Sequence, residues 1–93
     1  MTVILLDGEK IGNAKELHRV FADTLSLPDY YGSNLDALHD VLTDIPGEIG
    51  VIAVNTPLLQ ERMGRRWRPF CRLMEDLREE RPGFRWCPDP FAE

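Results

Sequence analysis

The chain has 93 residues, 43% of them hydrophobic, and a formal net charge of −5. That is enough for one domain with one core, and no apolar run is long enough to span a membrane. Charge is uneven: residues 1–61 hold ten acids against three bases (−7) and residues 62–93 hold six against eight (+2), with no Lys or Arg between Arg19 and Arg62. This asymmetry points to a cationic partner. It disfavours nucleic acid as the main ligand, because phosphates would be repelled.

The N-terminal segment Met1–Asp7 has no positive region, so it reads as a strand and not a signal peptide. A cytoplasmic protein with a single domain over 1–93 is expected. Val3 to Leu6 is a short buried strand ending at the Asp7-Gly8 turn. Asn13 lies three residues before Glu16, an N-cap with a carboxylate at N3. Leu17, Val20, Phe21 and Leu25 follow at helical spacing, so a first helix spans 14–25 and Pro28 bars its continuation. His18 faces away from the Leu17–Phe21 stripe and is expected to be exposed.

A second helix begins after Gly32, with Ser33 as cap and Asp36 at N3, an apolar stripe of Leu35, Leu38 and Leu42, and a stop before Pro46-Gly47. Ile49 to Val54 is apolar on both faces except at Gly50, as a central parallel strand would be. Thr56-Pro57 opens a third helix, the hydroxyl as cap and Pro at N1. Phe70, Leu73, Met74 and Leu77 define a fourth, ended by Pro82-Gly83, with Trp67 in the core. Phe84 to Cys87 is a last strand, closed by Pro88. The order β-α-α-β-α-α-β predicts an α/β fold, a three-stranded parallel sheet with four helices. Cys71 and Cys87 match no zinc pattern and are expected to be reduced and buried. No cofactor is expected.

The chemistry gathers on the second helix. Asp36, His39, Asp40 and Thr43 fall at i, i+3, i+4 and i+7 and share the face opposite the apolar stripe. Asp36 at the helix start is welcomed by the dipole, but Asp40 and Asp44 lie in the last turn, where anions are disfavoured by about 0.3–1 kcal/mol each. Repulsion between acids four residues apart adds a few tenths of a kcal/mol. No base on the helix relieves them, which implies that the charge is used. Before the helix, Tyr30 and Tyr31 diverge, so one lies near the surface as a rigid, amphipathic contact. Gly32 permits positive φ and close approach of a partner, and Asn34 offers amide donors and an acceptor.

These residues, Tyr30-Tyr31-Gly32-x-Asn34-Leu35-Asp36-Ala37-Leu38-x-Asp40-x-Leu42-Thr43 preceded by Leu27-Pro28-acid, closely resemble the binding segment of the barstar family, intracellular inhibitors of barnase-type bacterial ribonucleases. The length and element order agree, and the resemblance fades after Val54. It implies a plug for the nuclease active site. Asp40 would sit in the phosphate pocket and Asp36 against an arginine. Tyr30 would stack on the catalytic histidine, Gly32 and Asn34 would give backbone and polar contacts, and Thr43 would lie at the rim. Leu35, Tyr31, His39 and Asp44 complete the partner-facing set, with Asp76 or Glu80 as a second acidic contact on helix four. The implied partner is a basic ribonuclease, bound one to one by a monomeric inhibitor. The family often has tryptophan where His39 stands, which keeps open a different basic toxin or endogenous protein as the target.

Two other classes compete. Asp36, His39 and Asp40 can be drawn as a carboxylate–imidazole or metal site, but one histidine and two acids on one exposed helix form an incomplete set. Arg62, Arg65, Arg66, Arg68 and Arg72 can be drawn as a nucleic-acid surface, against a solvated loop and helix start or pairing with the acidic face of helix four.

Overall fold

The structure is a computed structural model that describes residues 1–29 and 31–88. The elements are β1 (Thr2–Asp7), α1 (Ala14–Leu25), α2 (Leu35–Asp44), β2 (Ile49–Val54), α3 (Thr56–Met63), a 3-10 turn (Gly64–Arg66), α4 (Trp67–Glu80) and β3 (Phe84–Pro88). The strands form one parallel sheet in the order β1-β2-β3. Ile4, Val51 and Trp86 stand in one row across it, and Val3, Gly50 and Arg85 in the next.

Because side chains alternate along a strand, these rows define two unequal faces. Ile4, Leu6, Ile49, Val51, Ala53, Phe84 and Trp86 are buried, and the helices pack on this face. Phe70 of α4 organises the core there, within 5.8–6.1 Å (ring centroids) of Phe21, Trp67 and Trp86. This joins α1, α4 and β3 through edge-to-face and tilted contacts. Trp67 is core, as expected. The opposite face is open: Val3 and Leu5 are 49% and 53% exposed, and Ile52 and Val54 are half-buried. The sequence reading of β2 as covered on both faces is corrected accordingly. Cys87, in the row with Leu5 and Ile52, is exposed, whereas it was expected to be buried; Cys71 is half-buried, and both are free thiols.

Two helix starts differ from expectation. At α3, Asn55 is the N-cap in left-handed backbone and Thr56 is already inside the helix. The Thr56 hydroxyl is buried with no hydrogen-bond partner and caps nothing. At α1 the expected arrangement stands: Asn13 accepts from the Glu16 N–H at 2.9 Å, and Glu16 in turn accepts from the Gly12 N–H at 2.6 Å.

The β1–α1 turn is held from β2 and α3. Asn55 Nδ2 donates to Asp7 Oδ1 at 2.8 Å, which lowers the Asp7 pKa from its ordinary value, and Arg62 donates to the carbonyls of Gly8 and Ile11. Gly8 is required here, because a Cβ would come within 2.2 Å of the Asn55 carbonyl oxygen. No helix among the described residues is long and apolar enough to cross a membrane.

Candidate protein-binding surface

The acidic helix α2 buries Leu38 and Leu42 and packs against α4. Its cap is Asn34, and Ser33 lies one residue outside. Asn34 Oδ1 accepts from the Ala37 N–H at 2.8 Å, while its Nδ2 donates to the Gly32 carbonyl at 3.2 Å. Asp36 is therefore at N2, still within the first turn where the dipole favours it. Ser33 takes the left-handed conformation (φ 50°) that had been expected of Gly32. Gly32 matters for space: a Cβ there would come within 2.9 Å of Asn34 Nδ2. The side chain of Asn34 is thus engaged in shaping its own loop, which leaves it less free for a partner than its chemistry suggests. Tyr30 falls outside the described residues.

Tyr31 is the inward member of the tyrosine pair, half-buried against the core. Its hydroxyl lies 2.7 Å from His18 Nδ1, with the rings 5.8 Å apart. Burial pushes the Tyr31 phenol up to about 12, so the hydroxyl keeps its proton, and the direction of its hydrogen bond with His18 Nδ1 follows the imidazole tautomer. The expectation that His18 is exposed is wrong: it is 5% exposed. Its pKa is lowered by burial first and by the charge of Arg66 second. The missed signal was present. Ala14, His18 and Phe21 lie at i, i+4 and i+7, and all three are buried.

At its outer face α2 presents Asp36, Asp40, Thr43 and Asp44, all exposed, and His39, half-buried. The Asp40 side chain is 82% exposed, and among the described residues the one ring or basic nitrogen within ion-pair distance is His39 Nδ1, 3.9 Å from its Oδ1. The other ring nitrogen of His39 lies 3.5 Å from Glu80 Oε1 on α4. Thr43 Oγ1 donates back to the His39 carbonyl at 2.7 Å, which ties it to its own helix. A cleft of about 410 Å3 separates α2 from α4, with Leu35, Asp36 and His39 on one wall and Arg68, Arg72 and Asp76 on the other. Asp36, His39 and Asp76 thus meet at one cleft, Glu80 and Asp40 flank His39, and Asp44 lies at the far end of the helix.

The unrelieved charge inferred for α2 is in fact relieved from outside it. Arg81, just beyond α4, donates to the carbonyls of Leu42 and Ile45 and, at 2.7 Å, to that of Gly47. A guanidinium thus caps the C-terminal end of α2, satisfying carbonyls left over by the helix and neutralising the negative end of its dipole. This weakens the argument from Asp44 and leaves that from Asp40, which pairs with no Lys or Arg among the described residues. Arg65, Arg66, Arg68 and Arg72 form no ion pair among the described residues, so they are solvated and do not pair with the acids of α4. Among the described residues no cluster of three or more His, Cys, Asp or Glu is placed to hold a metal ion.

A small α/β domain whose exposed helix carries acids toward solvent fits a protein-binding module. Residues 1–87 match the family described as Barstar (barnase inhibitor), and the chain belongs to that family. The match extends well past Val54, where the sequence resemblance had faded. The chain is also similar to "Putative ribonuclease inhibitor YrdF" of Bacillus subtilis (strain 168), 49% identical over 49 residues, or 50% of this chain and 54% of that protein. The chain spans about half the length of that curated relative.

Proposed function

We propose that this protein inhibits a small, basic, secreted bacterial ribonuclease by covering its phosphate-binding active site with α2 and the loop before it. The observation that carries the reading is Asp40, an exposed carboxylate on α2 that no Lys or Arg pairs among the described residues, in a chain of the barnase-inhibitor family. A site built to bind RNA phosphates must offer clustered cations. A carboxylate inserted among them makes charge-assisted hydrogen bonds in a desolvated setting, and the net charge of −5 speeds encounter with a basic enzyme. Asp36 reaches a flanking cation, Gly32 lets the enzyme approach the backbone, and Asp76 and Glu80 extend the acidic surface onto α4. The protein performs no catalysis in this reading. It acts in the cytoplasm as a monomer that binds one enzyme.

The test is titration into a small guanyl-preferring ribonuclease while RNA cleavage is followed, with Asp40→Ala in parallel. Stoichiometric inhibition by the wild type is expected. The variant should lose about 2–5 kcal/mol of binding, because truncation strands the enzyme's cations. Equal inhibition by both proteins would refute the assignment.

A second reading keeps the surface and changes the target to another basic protein. His39 favours it, since a half-buried imidazole set between Asp40 and Glu80 gives less apolar contact than a tryptophan would. Failure of the wild type to inhibit such ribonucleases, with capture of a different basic protein through Asp40, would decide for it.

A further inference from the structure

The acidic face has a neighbour of opposite sign. Ser33, Asn34 and Leu35, which lead into α2, also form one wall of a second cleft of about 540 Å3. Its other walls come from the start of α1 and from the elbow between α3 and α4. Ala14, Met63 and Pro69 give it an apolar lining, and His18 also lines it. The charged groups that line it are Lys15, Arg65 and Arg66, and neither Asp nor Glu does. All three cations are exposed, and none is ion-paired among the described residues.

In a chain with 16 acids and 11 bases, three cations around one concavity with no acid run against the composition. Solvated arginines scattered over a surface need no explanation, but these converge on a recess with low-dielectric walls, where fields are focused.

We propose that this cleft is a second contact with the ribonuclease and receives an acidic side chain, Asp or Glu, from the enzyme surface beside its active site. The inference rests on the function proposed above: one wall of the cleft is the segment that would enter the active site, so the two surfaces are continuous. Arginine forks suit a carboxylate, which can accept two parallel hydrogen bonds from one guanidinium. The interface is then two-signed, with carboxylates on α2 for the enzyme's cations and cations in the cleft for its carboxylate. Such an arrangement fixes the rotation of the enzyme on the inhibitor, which an all-acidic plug leaves loose.

The experiment compares two double variants with the wild type and Asp40→Ala against the same guanyl-preferring ribonuclease, measuring association rate, dissociation rate and Kd. Arg65→Glu/Arg66→Glu changes the cleft. Arg78→Glu/Arg85→Glu makes the same change of charge at exposed arginines away from it. Unfolding by urea checks that each variant folds. Long-range attraction alone would make both variants bind a basic enzyme faster and tighter. The cleft contact predicts that the first variant binds roughly tenfold or more weaker, through faster dissociation, while the second does not weaken. If the wild type inhibits and Asp40→Ala does not, but both double variants bind alike, the cleft contact is refuted and the proposed function stands. If the wild type does not inhibit, both fall.

Discussion

Replacing Arg81 with methionine tests how an acidic helix survives its own charge. The substitution keeps most of the aliphatic stem and removes the guanidinium that serves the carbonyls of Leu42, Ile45 and Gly47. A hydrogen bond from a charged donor is worth about 1.5–3 kcal/mol in mutational series. The three bonds share one guanidinium, so their values do not add, and the exposed Gly47 carbonyl can be rehydrated. Two effective bonds at the low end, less the partial rehydration, leave about 2–2.5 kcal/mol. Loss of a cation at the helix C-terminus contributes about 0.3–1 kcal/mol. The sum is about 3 kcal/mol, and for a domain of this size each kcal/mol moves Tm by about 4–8 °C. A fall on the order of 15 °C is expected in thermal unfolding followed by circular dichroism. Arg81→Lys should recover the charge but not the planar fork, and so only part of the stability. Asp44→Asn should be nearly neutral in the wild type yet stabilising beside Arg81→Met, because only there is the last turn left without a cation. A loss below about 1 kcal/mol for Arg81→Met, or strict additivity with Asp44→Asn, would refute the capping argument.

Three further outcomes are expected. Since the folded-state pKa of His18 lies below the ordinary value of 6.5, the unfolded chain binds the proton more readily; stability is full above about pH 6.5 and declines as pH falls from there toward the folded value. Urea midpoints measured between pH 5 and 8 should show this slope, and it should flatten in His18→Gln. Asp40→Ala should leave folding stability unchanged within about 0.5 kcal/mol by urea unfolding, since the carboxylate is exposed and Arg81 already serves that end of the helix. Burial pushes the Cys71 thiol up to about 11 while Cys87 is exposed, so a thiol reagent at pH 8 should label Cys87 first, as peptide mapping would show; faster labelling of Cys71 would contradict the packing of α4.

The alternation of helix and strand was legible in the sequence because it depends on periodicity, which is local. The stripe Leu17, Val20, Phe21, Leu25 and the run Ile49–Val54 each specify their element. The caps were less so: Ser33 and Asn34 are both competent N-caps, and what decides between them is the left-handed backbone at Ser33, which no local pattern announces. The burial of His18 becomes legible only when Ala14 is counted with Phe21 on the buried face of α1. Arg81 left no signal at all, since it acts on carbonyls more than thirty residues earlier in the chain. The open sheet face was hidden for a related reason. Val3 and Leu5 look like core residues, and only the one-sided placement of the helices exposes them.

The two anchors of the candidate surface have a consequence for the kinetics of binding. The loop is tied down at Tyr31 by His18, and the far end of α2 is tied down by Arg81. The segment between them is therefore ordered before a partner arrives. Its conformational entropy is lost during folding and not during association, where ordering would cost about 0.5–1.5 kcal/mol for each immobilised side chain. Docking onto such a surface requires no rearrangement, so its rate is set by diffusion and electrostatic steering. A binding surface of this build can meet a freely diffusing partner without first waiting for its own shape.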